Sequence, residues 1–271
     1  MLKLFLWLRY LRKKKIVFLS IAAVAVSVSL LIVVASLFSG FIHAFESAAV
    51  EAIGDVVIDP PSVISNYDKL IESLEQRSQV EGATAATWGY GLLLVDKGNV
   101  RAVEIMGIQP EQRAKVTDFG QYLLSSKNST AAESRKNADS SEGVHGYVGI
   151  GVLTEPDEKT DEYSAEEALK RLGDSVILTT GTTSATSEGS SVTDFKRKVL
   201  RFTISDIVET GFYQFDNGTV YLPIEQLSEV LYPNQKLPVA QQIQIKLAKG
   251  ADTEESLAAI RGVWENFVRD Y

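Results

Sequence analysis

The chain has 271 residues, of which 45% are hydrophobic and none is cysteine. This is enough apolar material for a folded core of one large or two smaller domains, and it excludes a disulfide framework and thiolate metal sites. Six basic residues precede the first acidic one, Glu46, and the remainder of the chain holds 21 basic against 35 acidic residues. This excess of acids argues against nucleic-acid binding, which depends on neutralising phosphates.

Residues 16–38 contain no charged residue and no proline. As a helix this segment would be about 34 Å long, enough to cross a hydrocarbon core of about 30 Å. We therefore predict a transmembrane helix. Residues 1–15 form a basic amphipathic start, and the positive-inside rule places them in the cytoplasm. A cleaved signal peptide is the alternative, but its apolar region is typically only about 7–15 residues long.

The helix is predicted to continue beyond the membrane as a stalk over residues 39–54, with Gly54 as its C-terminal cap. Apolar residues in this region recur every three or four positions, as expected for one face of a helix. This face consists of Phe38, Ile42, Phe45, Ala49 and Ile53. Ser36 and Gly40 are small residues four positions apart, a spacing that favours close approach of another helix.

The residue pattern after the stalk predicts alternating strands and helices. Residues 55–59 predict a short strand, and residues 66–77 a helix whose apolar face is Tyr67, Leu70, Ile71 and Leu74. Residues 83–108 predict a β-hairpin that turns at residues 96–99, where Gly98 can adopt a positive φ. Pro110 suits the first position of the helix that follows, because its missing N–H would be unpaired there.

Two segments, residues 125–143 and 181–191, have few large apolar side chains and predict exposed or mobile loops. The other elements of this region are a helix capped by Ser164 and ended by Gly173, several strands, and a short helix after Pro223. A strand and an amphipathic helix, capped by Asp252 or Thr253, end the chain. The sum is an α+β fold with mostly antiparallel strands, divided into an α+β subdomain (55–125 and 239–271) and a β-rich insert (126–238).

The sequence contains no phosphate-binding G-x-x-x-x-G-K-[ST] pattern and no G-x-S-x-G nucleophile elbow. The two histidines, His43 and His145, lie outside any metal-ligand pattern. Residues 155–162 are interpreted as a solvated acidic loop, with a calcium site or a partner-docking edge as alternatives. The aromatic residues at 212, 213 and 215 are predicted to pack in the core, with an exposed recognition patch as the alternative. We therefore expect no enzyme activity, cofactor or metal.

Four segments in order carry a resemblance to a known family: LWLRYLRKKK, VEIMGIQPEQRAKVTDFGQYL, ALKRLGDSVILTT and FTISDIVETGFYQFDNGTVYLPIEQL. Together the segments resemble the first half of the permease subunits of the lipoprotein-releasing ABC transporters, the LolC/LolE family within the wider MacB/FtsX group. The resemblance covers essentially the whole chain. It departs from the family at residues 149–174, where an acidic insertion replaces a glycine-rich segment.

The resemblance implies one transmembrane helix continuing into a stalk, then a MacB-like periplasmic domain with a porter-like α+β subdomain and a β-rich insert. It implies three kinds of protein partner: a cytoplasmic ATP-binding subunit, a second permease subunit in a homo- or heterodimer, and a lipoprotein or other periplasmic protein. The chain would lie in the lipid of the bacterial inner membrane, with its main domain in the periplasm. Family permeases continue with three further spans, so the chain is expected to be C-terminally incomplete.

Two questions stay open at the level of the sequence. The apolar face from Phe38 to Ile53 could line a path for a lipid-anchored substrate or could pack against another helix. The chain as a whole could instead be a MacB- or FtsX-like permease for another substrate or for periplasmic regulation. It could also be a single-span membrane protein whose external domain binds a partner.

Overall fold

The computed structural model describes residues 15–96, 98–127, 143–184 and 194–270, without the side chains of residues 15, 46–52, 182–184, 194 and 195. The basic start at residues 1–14 therefore lies outside the described part. The chain forms two compact units, residues 1–50 and residues 51–271.

The first element is one continuous helix, α1 (Lys15–Ile53), of 39 residues. Its apolar stretch, Ile16–Phe45, has the length and composition needed to cross a membrane. Two serines fit this apolar helix because their hydroxyls donate to backbone carbonyls one turn earlier, Ser20 to Ile16 at 3.0 Å and Ser27 to Ala23 at 2.9 Å. The predicted N-terminal apolar helix is confirmed, and the residue after its last one is Gly54, which has a φ of +94°.

The second unit begins with strands β1 (Val56–Ile58) and β2 (Ile64–Ser65) and helix α2 (Tyr67–Glu75). It ends with β9 (Val239–Ala240), β10 (Gln242–Leu247) and α9 (Thr253–Asp270). The predicted apolar face of α2 is buried at all four positions. Leu70 and Leu74 pack there with Ile243 and Ile245 of β10 and with residues of α9. Each such side chain stabilises the fold by about 1.5–3 kcal/mol through burial.

The central hairpin is formed by β3 (Val80–Asp96) and β4 (Asn99–Ile108), with Gly98 at a φ of +91° in the turn. The chain then forms α3 (Pro110–Val116), a 3₁₀ turn (Asp118–Tyr122) and α4 (Leu124–Lys127). The predicted hairpin and the helix starting at Pro110 are confirmed. Residues 125–127 belong to α4 and not to a loop, and residues 128–142 lie outside the described part.

The remaining elements are strands and short helices: β5 (His145–Gly149), α5 (Ile150–Leu153), α6 (Ala165–Leu169), β6 (Ser175–Ser184), β7 (Asp194–Val208), α7 (Tyr213–Gly218), β8 (Thr219–Pro223) and α8 (Ile224–Leu231). Ser164 caps α6 as predicted, since its hydroxyl accepts from the Glu167 amide at 3.3 Å. Residues 181–184, predicted as loop, extend strand β6, because β7 supplies backbone partners for them.

The eight main strands form one sheet in the order β1-β10-β3-β4-β8-β5-β7-β6, and β3 also pairs with β6. This extra pairing closes six strands into a ring, because β3 turns from β10 at Ala86 to β6 at Gly91. Leu93, Leu178 and Phe202 fill the interior of the ring. Within the described strands, β4–β8 and β5–β7 are parallel and the other pairs antiparallel. The α+β prediction is confirmed, and the division at residues 125 and 239 stays a prediction.

Candidate functional site

The apolar face predicted on α1 is exposed along the part of the helix whose side chains are described. Phe38, Ile42 and Phe45 are 64%, 53% and 64% exposed, and the helical repeat places them along one face. Ile53 is half-buried at the end of the helix, and the side chain of Ala49 lies outside the described part. Such a face can contact acyl chains or a neighbouring helix.

The two small residues predicted to allow close approach of another helix lie on the other side of α1. With about 100° between successive residues, Ser36 and Gly40 each lie about 160° from Phe38. Both are exposed, and a Cβ added at Gly40 would meet no atom within 4 Å. The structure therefore separates the two predicted sets of residues onto opposite faces, so one face can pack against a helix while the other stays available.

Phe41 was not among the predicted residues. Its ring stacks on that of Phe45, with centroids 6.4 Å apart and an interplanar angle of 25°. The i, i+4 spacing of two phenylalanines is the sequence signal that could have identified this contact. Phe41 therefore widens the aromatic part of the predicted face.

The end of the stalk is fastened to strand β10 by the first residue after the cap. The Asp55 amide donates to the Ile245 carbonyl at 2.9 Å, and the Leu247 amide donates to Asp55 Oδ2 at 2.8 Å. Gly54 permits this approach, since a Cβ there would lie 2.9 Å from the Ile245 carbonyl oxygen. The junction thus joins the last turn of the helix to the central sheet within two residues.

A buried arginine follows the GIQPEQ turn, which comprises residues 107–112. Arg113 of α3 is 5% exposed, and its Nη1 donates to Gln244 Oε1 of β10 at 3.0 Å. Its guanidinium lies 5.7 Å from the Phe119 ring centroid and 6.0 Å from that of Tyr221. Burial lowers the pKa of Arg113 and raises the pKa of Tyr221 to about 12. Sequence patterns missed this contact because they predict an arginine on a solvated helix face.

In the acidic loop at residues 155–162, one carboxylate accepts hydrogen bonds from backbone amides of the same loop. Asp157 Oδ1 accepts from the amides of Lys159 at 2.9 Å and Thr160 at 3.1 Å, and these bonds lower the pKa of Asp157. Within the described ranges, no group of three or more histidine and acidic side chains could hold a metal ion. His43 is exposed on α1, and His145 Nδ1 lies 3.2 Å from the Ser205 hydroxyl.

The predicted core packing of the aromatic residues near Gly211 is wrong for two of three. Phe212 is 36% exposed and Tyr213 is 66% exposed, while Phe215 is half-buried. The reason is the local backbone, which is held by Asp216: its carboxylate accepts from the Thr210 amide at 2.7 Å and the Gly211 amide at 2.8 Å. This turn directs the first two rings outward and leaves an exposed aromatic pair.

Comparison with known proteins places these features in a family. Residues 17–263 match the family of the MacB-like periplasmic core domain. The chain is 26% identical over 242 residues to the lipoprotein-releasing system transmembrane protein LolC of Neisseria meningitidis serogroup B (strain ATCC BAA-335 / MC58). That alignment covers 85% of this chain and 51% of LolC, so the chain spans about half the length of this curated relative.

Two solved structures are also similar. The periplasmic region of MacB from Actinobacillus actinomycetemcomitans aligns with 80% of this chain and 86% of its own, at 11% identity and a TM-score of 0.41. The extracellular domain of the noncanonic ABC-type transporter YknZ from Gram-positive bacteria aligns with 78% and 92%, at 10% identity and a TM-score of 0.44. Because the family match extends over most of the chain, from the apolar helix to α9, this protein belongs to the MacB-like periplasmic core domain family.

Proposed function

We propose that this chain is part of a permease subunit of an ABC transporter that releases lipoproteins from the bacterial inner membrane. The observation that carries the proposal is the direct connection of a membrane-length apolar helix to a MacB-like domain through Gly54 and Asp55. Similarity to LolC, whose name states lipoprotein release, supports this cargo class.

In this proposal the chain transmits motion and makes or breaks no covalent bond. ATP is hydrolysed on a separate cytoplasmic subunit, and a second permease chain completes the membrane part. Movement of α1 reaches the external domain through Asp55, whose two hydrogen bonds hold β10. Because β10 pairs with β3, the same movement reaches the strand that also belongs to the closed ring.

The apolar face of α1 is the proposed substrate path. Lipid anchors are apolar, and exposed Phe38, Ile42 and Phe45 present a surface that such chains can contact without loss of hydrogen bonds. The opposite face, with Ser36 and Gly40, is the proposed helix-packing side. The basic residues before the helix favour a cytoplasmic N-terminus, which puts the main domain in the periplasm.

A MacB- or FtsX-like permease for another substrate is the second candidate. It is favoured by the family match, which is to a MacB-like domain and names no lipoprotein. The two candidates share the membrane helix, the external domain and the ATP-binding partner, and they differ in cargo.

The experiment that tests the lipoprotein proposal changes Phe45→Asp in the native full-length protein. A carboxylate on the path disfavours passage of an acyl chain, so release of lipoproteins from spheroplasts is expected to fall at least several-fold. Assembly with the ATP-binding subunit, measured by co-purification, is expected to persist. Phe45→Leu, which keeps an apolar side chain, is expected to retain release.

Phe45→Leu is the matched control, because it changes the same position on the helix and differs from Phe45→Asp in keeping an apolar side chain there. Unchanged release in Phe45→Asp, or loss of assembly in this variant, would show that Phe45 has no role in a substrate path.

A further inference from the structure

A cleft lies where strand β3 changes partner. β3 pairs with β10 as far as Ala86 and with β6 from Gly91 onward, so no described strand pairs with residues 88–90 along that edge. The cleft at this opening has a volume of about 680 Å³, within the range of small-molecule sites, about 300–1,000 Å³. We call it the β3 cleft, and its large apolar and aromatic lining residues are Trp88, Tyr90, Leu92, Leu231 and Tyr232.

The β3 cleft joins the solvent to the edge of the core inside the ring. Tyr90 and Leu92 are 75% and 50% exposed, so the cleft is open to the outside. Leu231, at the end of α8, packs against the hydrophobic core inside the ring. It also lies against β3, since a Cβ added at Gly89 would be 3.0 Å from Leu231 Cδ1. A ligand can therefore reach apolar surface here without opening the ring.

Three polar groups at the opening are already bound within the chain. The Trp88 amide donates to Gln241 Oε1 at 2.7 Å, and the Tyr90 carbonyl accepts from the Thr180 hydroxyl at 2.7 Å. The Tyr232 hydroxyl accepts from Gln241 Nε2 at 2.6 Å. An extended peptide added to a strand edge would need the same backbone groups, so these bonds disfavour it. Hydrocarbon needs no hydrogen bonds, and it suits the surface that remains.

Arg197 of β7 is the one charged residue that lines the β3 cleft among the described residues. Its side chain is exposed, and within the described ranges it forms no ion pair. A guanidinium has only N–H donors and no acceptor, so a ligand group beside it must carry acceptor oxygens. The chemistry of the cleft thus fits a hydrocarbon chain that ends in carbonyl oxygens.

We propose that the β3 cleft binds an acyl chain of the lipoprotein cargo, with the ester oxygens of the lipid anchor near Arg197. An acyl chain that leaves the bilayer exposes hydrocarbon to water, and an apolar cleft on the external domain reduces this unfavourable exposure. The inference rests on the proposed release of lipoproteins. It adds a binding site on the external domain to the substrate path proposed along α1.

Photo-crosslinking in cells tests the proposal. A palmitic acid analogue that carries a diazirine is fed to cells that make the tagged full-length protein, and it enters both lipoproteins and phospholipids. After irradiation the protein is purified, and mass spectrometry identifies the attached molecule and the modified residues. Lipoprotein is expected on residues 88–92 or 231–232. Lipoprotein attached only to other residues would overturn the proposal, and phospholipid alone in the cleft would overturn the assignment to cargo.

Two variants with matched controls test the lining. Leu92→Glu places a carboxylate among apolar groups and is expected to lower cross-linking at residues 231–232 several-fold. Val100→Glu is its control, because Val100 is 52% exposed on β4 and lies outside the cleft. Arg197→Glu is expected to lower cross-linking several-fold, whereas Arg201→Glu, also exposed on β7 but outside the cleft, should retain it. Wild-type cross-linking in Leu92→Glu would contradict the proposal.

Lipoprotein release, measured in the same cells, separates this inference from the proposed function. Release that depends on the protein, with no lipoprotein attached in the β3 cleft, refutes the cleft alone. Release that does not depend on the protein refutes the proposed function and the cleft with it.

Discussion

At the scale of single residues, Gly107 explains the glycine in the stretch VEIMGIQPEQ. A Cβ at this position would lie 2.6 Å from the Thr87 side chain and 3.2 Å from the Ile224 backbone. The glycine therefore lets β4 lie close to the first turn of α8. The sequence predicted Gly54 and Gly98 from turn chemistry, but it could not predict Gly107, because the atoms that exclude a side chain there come from distant parts of the chain.

We expect Gly107→Ala to lower the free energy of unfolding by about 1–3 kcal/mol, since the added methyl group overpacks the core. Gly262→Ala is the control: Gly262 lies in α9 with no atom within 4 Å of an added Cβ, so alanine there should stabilise the protein by about 0.5–1 kcal/mol. Thermal unfolding of the full chain in detergent measures both. A neutral Gly107→Ala would show that β4 and α8 have room between them for a methyl group.

Arg113 is a second residue that periodicity could not place. Helix α3 is short, and its sequence has a basic residue where a solvated face would be expected. Contacts to Gln244, Phe119 and Tyr221 come from three separate parts of the chain. Burial of such a cation depends on the complete tertiary structure, and a local pattern carries no signal of it.

At the scale of elements, patterns within one segment were predictive. The uncharged apolar run identified the membrane part of α1, and the helical repeat identified α2 and α9. The cap at Ser164 was correct, and of the two residues predicted to cap α9 it is Asp252 that does so, since its Oδ1 accepts from the Glu255 amide at 3.0 Å; both predictions succeed because capping is local. Pairing between distant strands was not predictable. Closure of the ring requires β3 and β6 to meet, and residues 91 and 180 that begin this contact are far apart in sequence.

One ion pair joins two of these elements and gives a pH dependence. Arg171, after α6, donates to both carboxylate oxygens of Asp96 at the end of β3. This hydrogen bonding lowers the pKa of Asp96 below its usual value. A lowered folded-state pKa stabilises the protein above the usual carboxyl pKa, and this stabilisation is lost as the pH falls through the folded-state value.

We therefore expect Asp96→Asn to melt slightly below the wild type at neutral pH, because the pair is exposed and contributes little. The difference should shrink as the pH falls through the lowered pKa of Asp96. Melting curves of both proteins across the acidic range test this. A difference that grows on acidification would contradict the assigned pairing.

At the scale of the whole molecule, the chain has three parts: an apolar helix of membrane length, a two-residue junction, and a domain of the MacB-like family. The resemblance carried by the four sequence segments is enough to predict this family. The sequence could not identify Asp55 as the residue that joins the stalk to β10, since its two hydrogen bonds depend on which strand lies beside it.

The most direct test of the central claim is affinity purification of the N-terminally tagged native protein from its own membranes, with mass spectrometry of every protein recovered. The account predicts recovery of an ATP-binding subunit and a second permease chain, with lipoprotein bound in part of the sample. Recovery of the tagged protein without an ATP-binding subunit would contradict the account, and would favour a single-span membrane protein whose external domain binds a partner.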